Sequence, residues 1–141
     1  MLRKIVDLKS GDCVIQNAAN STFGQMFIQM AKAEGVKTIN VIRNRPHLEE
    51  TVAYLKALGA DCVVTSEDLA EKGFSRLNTG LPQPKLALDA VGGQAPFHLS
   101  NALERGGTVA VYGVLSGKPC QIPQGDLVFR KIKVTGFWLT E

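Results

Sequence analysis

The sequence predicts a doubly wound α/β domain, in which a parallel sheet of about six strands has helices on both faces. Two observations predict this fold class. Short apolar runs alternate along the chain with segments whose apolar residues recur at helical spacing. Parallel neighbours need long crossover connections, so strands that alternate with helices form a parallel sheet. The 141 residues contain no internal repeat or linker, so residues 1–141 are expected to form one domain.

Six apolar runs are the candidate strands. They are CVIQN from Cys13, TINVI from Thr38, CVVT from Cys62, LALDAV from Leu86, TVAVYG from Thr108 and KVTGFWL from Lys133. Helical spacing predicts a first helix from Phe23 that ends near Gly35, and a second with Pro46 in its first turn that ends at Gly59. Weaker helical patterns cover 66–72 and 94–103. The segment 116–125, with two prolines and two glycines, is predicted to be a loop.

Composition excludes several classes of partner. Sixteen basic and thirteen acidic side chains give a net charge of +3 without a long basic run, so neither nucleic acid nor a membrane surface is an expected partner. No apolar stretch is long enough for a membrane span, and the first ten residues lack the apolar block of a secretory signal. Cys13, Cys62 and Cys120 form no C-x-x-C pair, which indicates a reducing compartment. Cys13 and Cys62 are predicted to be small core residues.

The segment NAANSTFG, residues 17–24, is a candidate phosphate-binding turn between the first strand and the first helix. The first amides of a helix have no intrahelical acceptor and carry partial positive charge, which attracts phosphate. Ser21 or Thr22 is expected to cap the helix, and Asn20 to adopt a positive backbone angle. Gly24 would let the helix pack closely. Because any capped helix after a strand looks similar, the turn alone does not distinguish a phosphate site from an ordinary loop.

Arginines after the second strand favour the phosphate interpretation. Folds specific for NAD place an acidic residue there, about twenty positions past the glycines, to bind the ribose hydroxyl. This chain instead carries Arg43, Asn44 and Arg45, beginning nineteen residues after Gly24. Guanidinium forks match phosphate oxygens, so the sequence predicts NADPH rather than NADH. The alternative is two solvated arginines at the end of a strand.

No catalytic residue and no metal site are predicted within this chain. His47 and His98 are lone histidines on helix-like segments, without a carboxylate or cysteine at ligand spacing, and are expected to have surface or packing roles. Asp89 ends a strand before a Gly-Gly turn, where aspartate usually binds backbone amides. Tyr112, at another strand end, is expected to have a positional role.

Several segments together resemble one known family. The asparagine-bracketed turn NAANS, the arginine segment RNRP and the C-terminal GFWL are the specific matches, and LGAD and D-x-V-G-G are more widespread. From about Gly11 to Glu141 the chain resembles the nucleotide-binding domain of mitochondrial 2-enoyl thioester (trans-2-enoyl-CoA) reductases. That family belongs to the medium-chain dehydrogenase/reductase superfamily, whose nucleotide-binding domain is of the Rossmann type.

The resemblance implies NADPH-dependent reduction of the trans-2 double bond of enoyl thioesters, carried by CoA or acyl-carrier protein, in mitochondrial matrix fatty-acid synthesis. It also implies a homodimer in the full-length protein. The implied cofactor contacts are Asn20, Ser21, Thr22, Phe23 and Gly24 in the turn, Arg43, Asn44 and Arg45 at the adenosine phosphate, Tyr112, Gly113, Val114 and Leu115 beside the nicotinamide, and Phe137, Trp138 and Leu139 at the far strand end.

Two departures from the family pattern matter. Thr22 and Phe23 stand where related turns often have Gly-Val, so the Phe23 ring either narrows the room beside the pyrophosphate or packs inward. The family builds its substrate domain, with its proton-donating tyrosine, from chain before and after this region. The resemblance therefore implies a fragment of a two-domain enzyme, which binds cofactor without turning over substrate.

Two other functions remain open from the sequence. One is a non-catalytic NADPH-binding module that senses redox state or docks to a protein. The other is an S-adenosylmethionine-dependent transferase, which shares the doubly wound architecture. Such transferases usually carry an acid after the second strand, so Arg43 and Arg45 count against this alternative.

Overall fold

The computed structural model describes residues 6–136, in which strands and helices alternate. The strands are β1 (Cys13–Gln16), β2 (Lys37–Ile42), β3 (Cys62–Thr65), β4 (Leu86–Asp89), β5 (Thr108–Val111) and β6 (Lys133–Gly136). The α-helices are α1 (Thr22–Ala33), α2 (Leu48–Leu58), α3 (Ser66–Lys72), α4 (Ala95–Ala102) and α5 (Gln124–Val128), with a short 3-10 helix at Phe74–Arg76. None of the helices within 6–136 has the length and apolar composition that a membrane crossing requires.

All six strands are parallel and lie in the order β3-β2-β1-β4-β5-β6. This is the order typical of Rossmann dinucleotide-binding folds. The chain moves outward from β1 to β3 and then returns to place β4 on the other side of β1. The order reverses between β1 and β4, so the loops that follow these two strands diverge and leave a crevice at their carboxyl ends. The fold class predicted from the sequence is confirmed.

The apolar core lies on both faces of the sheet, because successive strand residues point to opposite faces. On one face, Ile15 and Ile39 belong to a cluster with Leu99 of α4 and Leu69 of α3. On the other face, the α1 residue Phe27 belongs to a second cluster, whose strand members are Val14, Leu86, Leu88 and Ala110. Helices therefore cover both faces, as the sequence predicts.

A chain of buried polar side chains joins the first turn of α1 to the sheet. Gln16 Nε2 donates to the Gly24 carbonyl at 3.1 Å and to Asn40 Oδ1 at 2.9 Å. Asn40 Nδ2 donates in turn to Thr38 Oγ1 at 2.9 Å and to the Cys62 carbonyl at 3.0 Å. These bonds fix the start of α1 relative to β1, β2 and β3. No local pattern in the sequence indicates these bonds, since most of them join residues on different elements.

Some predicted boundaries are wrong by a few residues. Pro46 was predicted in the first turn of α2, but α2 begins at Leu48, after His47 with φ 59°. The loop predicted for 116–125 ends two residues earlier in the structure, because α5 begins at Gln124. β6 is described to Gly136, so the predicted continuation of that strand through Phe137, Trp138 and Leu139 lies outside the described residues.

The cysteines follow the predicted pattern of burial. Cys13 is fully buried and burial raises the pKa of its thiol to about 12, so it is an inert core residue. Cys62 is half-buried and packs against the same cluster. Cys120 is exposed in the loop after β5.

Gly24 lies where helix α1 and the turn after β1 come closest. A Cβ atom built on Gly24 would lie 2.4 Å from the Ala19 carbonyl oxygen, a backbone atom that cannot rotate away. The helix could accept a side chain at this position only by moving away from the turn. Gly24 thus sets the distance between α1 and the turn, as predicted from the sequence.

We expect Gly24→Ala to lower the free energy of unfolding by about 1–3 kcal/mol, the usual range for overpacking, because α1 must shift to relieve the contact. Urea unfolding followed by circular dichroism is the measurement. Gly125→Ala is the matched control, since its new Cβ would meet Phe129 Cδ2 at 3.9 Å, an ordinary contact. Equal stability of the two variants would contradict the close approach at Gly24.

Tyr112 generates a prediction about alkaline pH. Burial raises the pKa of its hydroxyl from 10.0 to about 12, and the Asp89 carboxylate adds to the shift. Above pH about 10 the unfolded chain releases this proton while the folded protein keeps it, so folded stability falls as pH rises. Tyr112→Phe is therefore expected to flatten the loss of stability between about pH 10 and 12 in urea unfolding.

Tyr54→Phe is the control for this measurement, because Tyr54 is 54% exposed on α2. It should keep the alkaline loss of the parent protein. If the Tyr112→Phe variant loses as much stability over the same interval as Tyr54→Phe does, Tyr112 is not the group responsible.

Candidate dinucleotide site

A cleft of about 580 Å³ opens at the carboxyl ends of the strands, where the sheet order reverses. Its walls come from the turn after β1, the end of β2 with the residues that follow it, the start of α3, the loop after β4 with α4, and the loop after β5. The volume lies within the range of ligand sites in proteins. Elements far apart in sequence therefore form one binding-sized concavity.

The turn after β1 leaves two helix amides available. Ser21 caps α1, since its Oγ accepts from the Gly24 amide at 3.1 Å and its carbonyl accepts from the Gln25 amide at 2.9 Å. Within residues 6–136 no protein acceptor is recorded for the amides of Thr22 and Phe23. An anion beside this turn would meet two unoccupied N–H donors at the positive end of a twelve-residue helix.

The backbone of the turn differs from the prediction at one position. The residue with positive φ is Ala18, at 48°, and Asn20 is not in that region. The positive backbone angle expected at Asn20 is therefore wrong, and its polar groups make hydrogen bonds within the turn. Its backbone carbonyl accepts from Gln25 Nε2 at 2.8 Å. With its side-chain amide oriented to satisfy both partners, its Oδ1 accepts from the Arg45 guanidinium at 2.7 and 2.9 Å.

The segment from Arg43 to Arg45, called here the arginine loop, lies directly beyond β2. Arg43 and Arg45 both line the cleft, whereas Asn44 does not. Arg43 is exposed, and Arg45 is half-buried with its Nε lacking a partner in the described part of the chain. The bonds from Arg45 to Asn20 place this guanidinium against the helix-capping turn. The cleft thus has two cationic groups beside two open amides.

A hydrogen bond between Asn17 and Asp89 links the ends of β1 and β4. Asn17 Nδ2 donates to Asp89 Oδ1 at 2.7 Å, and Asn17 Oδ1 accepts from the Ala90 amide at 2.8 Å. The Asp89 carboxylate also accepts from the amides of Val91 and Gly92, at 3.1 and 3.2 Å. Asp89 is fully buried and serves the backbone of its turn, which agrees with the structural role predicted for it.

The Phe23 ring packs inward, away from the cleft. It lies 4.6 Å from the Tyr112 ring and 6.4 Å from the Phe27 ring, measured between centroids. Both Phe23 and Tyr112 pack against the core cluster under α1. Of the two possibilities that the sequence left for Phe23, the inward one is therefore correct.

The loop after β5 brings an apolar segment to the cleft. Val114 and Leu115 are 75% and 74% exposed, and Leu115 lines the cleft. A Cβ atom on Gly113 would lie 2.6 Å from the Ala90 carbonyl oxygen, so the loops after β4 and β5 approach each other closely. Contiguous exposed apolar surface is typical of ligand grooves and protein contacts, and these two adjacent side chains contribute such surface beside the cleft.

Some of the predicted site residues line the cleft and others do not. Those that line it are Asn20, Ser21, Arg43, Arg45 and Leu115. Those that do not line it are Thr22, Phe23, Gly24, Asn44, Tyr112, Gly113 and Val114. Phe137, Trp138 and Leu139 lie outside the described residues.

Sequence reasoning missed four polar residues of the cleft wall, which are Asn17, Ser66, His98 and Ser116. Asn17 directly follows β1 and Ser66 begins α3, and neither was predicted to be a site residue. His98 was assigned an ordinary surface or packing role, but it lines the cleft from α4 and its ring meets Phe97 edge-on at 5.2 Å. Helical spacing does not say which face of α4 meets the cleft, so no local signal would have found it. Within the described residues no group of three or more His, Cys, Asp or Glu side chains could hold a metal.

Comparisons with known proteins agree with this geometry. The family model described as "Zinc-binding dehydrogenase" matches residues 23–141. A curated relative named "Enoyl-[acyl-carrier-protein] reductase, mitochondrial" from Dictyostelium discoideum is 48% identical over the whole chain, and one of the same name from Homo sapiens is 43% identical. The chain spans about 40% of the length of the first of these and 38% of the second.

Solved structures give the same result. A mitochondrial 2-enoyl thioester reductase heterodimer, Etr1p/Etr2p from Candida tropicalis, is 36% identical with a TM-score of 0.91, over 99% of this chain and 40% of that one. Etr1p in complex with NADP and crotonyl-CoA gives a TM-score of 0.92 at 35% identity, with the same coverage. The resemblance to 2-enoyl thioester reductases seen in the sequence is confirmed. With most of its length matched by the family model and its fold shared with these enzymes, the chain belongs to the zinc-binding dehydrogenase family.

Proposed function

We propose that the cleft binds NADPH, with the pyrophosphate at the first turn of α1 and the 2′-phosphate at the arginine loop. The observation that carries the proposal is the contact between Arg45 and Asn20, at 2.7 and 2.9 Å, which joins the arginine loop to the phosphate turn on one cleft. A ligand with phosphates at two places would use both groups. NADPH has this arrangement, whereas NADH lacks the 2′-phosphate.

The residues present fit this cofactor in three respects. Gly24 and Gly113 stand where a Cβ atom would lie within 2.4 and 2.6 Å of backbone oxygens, so the glycines keep the turns that border the cleft compact. The amides of Thr22 and Phe23 supply unoccupied donors for the pyrophosphate. Among residues 6–136, those that line the cleft include two arginines and neither aspartate nor glutamate, which suits a phosphate better than a ribose hydroxyl.

For the whole protein we propose NADPH-dependent reduction of the trans-2 double bond of enoyl thioesters, in the mitochondrial matrix. The names of the curated relatives and the Etr1p complex with NADP and crotonyl-CoA support it. When bound, NADPH supplies the hydride. The residues of this chain bind and orient the cofactor, and the exposed Val114 and Leu115 offer an apolar surface that would exclude water beside the nicotinamide.

The proposal includes domain organisation and assembly. Residues 1–141 would be the NADP(H)-binding domain, and the substrate domain, with the proton donor, would come from the rest of the full-length protein. The chain spans only about 40% of the relatives, which leaves room for such a domain in them. We propose a homodimer for the full-length protein, since β6 is an edge strand of the described sheet whose residues are exposed, and exposed edges invite pairing.

We expect Arg43→Ala and Arg45→Ala each to weaken NADPH binding by about ten- to hundredfold. This corresponds to the roughly 1.5–3 kcal/mol of a hydrogen bond to a charged group. NADH has no phosphate to engage the loop, so its affinity should change little. Isothermal titration calorimetry with both cofactors measures the effect.

Arg105→Ala is the matched control, because Arg105 is an exposed arginine before β5, at the opposite end of the strand from the cleft. It should bind both cofactors as the parent protein does. An unchanged preference for NADPH in both cleft variants would show that the 2′-phosphate is bound elsewhere.

The full-length protein is expected to oxidise NADPH when a trans-2-enoyl-CoA such as crotonyl-CoA is added, whereas residues 1–141 bind NADPH without oxidising it. Loss of NADPH absorbance measures turnover, and light scattering on the same preparation measures the dimer. A full-length protein that binds NADPH but reduces no enoyl thioester would favour the non-catalytic sensor over the reductase.

A further inference from the structure

The carboxylate of Glu67, on α3, contacts the arginine loop from behind. Its Oε1 accepts from the Asn44 backbone amide at 2.9 Å and from the Ser66 hydroxyl at 2.9 Å. Arg43, Arg45 and Ser66 line the cleft, but Glu67 does not. The carboxylate therefore lies beside the proposed phosphate site without forming part of its wall.

The electrostatics agree with these contacts. The hydrogen bond from the Asn44 amide, foremost, and the nearby positive charge of Arg43 hold the pKa of the Glu67 carboxyl below its ordinary value. Glu67 is consequently ionised at neutral pH. A hydrogen bond from a backbone amide to an ionised carboxylate is stronger than one between neutral groups.

The arginine loop has few other constraints. Residues 43–45 lie outside regular secondary structure and precede Pro46, which has no N–H to donate. On one side, the Arg45 guanidinium is bound to Asn20 of the phosphate turn. On the other, the Asn44 amide is bound to Glu67. The middle residue of the loop is thus fastened to α3 while its two arginines reach the cleft.

We propose that Glu67 is a positioning residue for coenzyme selectivity, holding Asn44 so that Arg43 and Arg45 are presented together to the 2′-phosphate of NADPH. The proposal rests on the proposed function of the cleft. Glu67 Oε1 already accepts two hydrogen bonds, and the side chain does not line the cleft. Glu67 therefore does not act as a ribose-binding acid. Its effect reaches the cofactor through the loop.

The test compares two substitutions at one position. Glu67→Gln keeps an oxygen that accepts from the Asn44 amide and the Ser66 hydroxyl, whereas Glu67→Ala removes the acceptor. Without the acceptor, the loop is expected to spend most of its time in arrangements that do not present both arginines. The apparent affinity for NADPH then falls in proportion to the fraction of molecules whose loop can bind it. We therefore expect Glu67→Ala to weaken NADPH binding by about fivefold or more, with NADH binding within about twofold of the parent.

Glu67→Gln should restore NADPH binding to within about twofold of the parent protein. Glu71→Ala is the control, since Glu71 is an exposed glutamate on the same helix and its removal changes the net charge equally. It should leave both affinities unchanged. Calorimetric titration with NADPH and with NADH gives all the values, and circular dichroism checks that each variant is folded.

Other outcomes would overturn the role of Glu67. If Glu67→Ala keeps the parent preference for NADPH, the Glu67 carboxylate does not position the arginines. If Glu67→Ala and Glu67→Gln both raise NADPH affinity, the carboxylate acts only by repelling phosphate. If Glu67→Gln loses as much as Glu67→Ala, or if NADH weakens equally, the effect is not positioning of the arginine loop.

These failures differ from failure of the proposed function. In that case the parent protein itself would show no preference for NADPH over NADH, and Arg43→Ala and Arg45→Ala would have no effect on that ratio. A parent preference that depends on the arginines but not on Glu67 would retain the cofactor assignment and reject only the positioning role.

Discussion

The reversal of strand order between β1 and β4 is the constraint on which the site depends. In a parallel sheet all carboxyl ends lie at one edge, and the connections that leave neighbouring strands usually turn the same way. Where the order reverses, they turn apart and a crevice remains. Here Asn17, after β1, lines the crevice, and it is hydrogen-bonded at 2.7 Å to Asp89, which is buried at the end of β4. This bond ties the ends of β1 and β4 together where the strand order reverses.

Buried polar side chains give the site its fixed geometry. Gln16, Asn17, Asn40 and Asp89 are almost completely buried close to the carboxyl edge, where apolar residues would pack with less loss of hydration. Their hydrogen bonds run to backbone groups at turns and between strands. Bonds of this kind disfavour other arrangements of the turns, because breaking them would leave further buried polar groups without partners. The turns that border the cleft are thereby held in place before a ligand arrives.

Around the cleft, positive side chains face the cleft and a negative side chain lies behind them. Arg43 and Arg45 face the cleft, and the carboxylate of Glu67 lies behind the loop that carries them. The negative charge of Glu67 reduces the net positive field that Arg43 and Arg45 produce beyond β2. Its hydrogen bond to the Asn44 amide also holds the backbone between the two arginines. The open amides of Thr22 and Phe23 add partial positive charge from the α1 terminus. Together these groups form a surface that suits an anion with phosphates at two places.

The sequence by itself determined the six strands, the first four helices and the fold class, because apolar periodicity, caps and turn residues act over short separations. It also narrowed the cap of α1 to Ser21 or Thr22, of which the structure selects Ser21, and it placed arginines after β2. The tertiary structure decided which residues meet: Asn17 bonds Asp89 across a separation of 72 residues, and Glu67 bonds Asn44 across 23. It also decided that Ala18, not Asn20, takes the positive φ. Such contacts depend on strand order and packing, which no local pattern encodes.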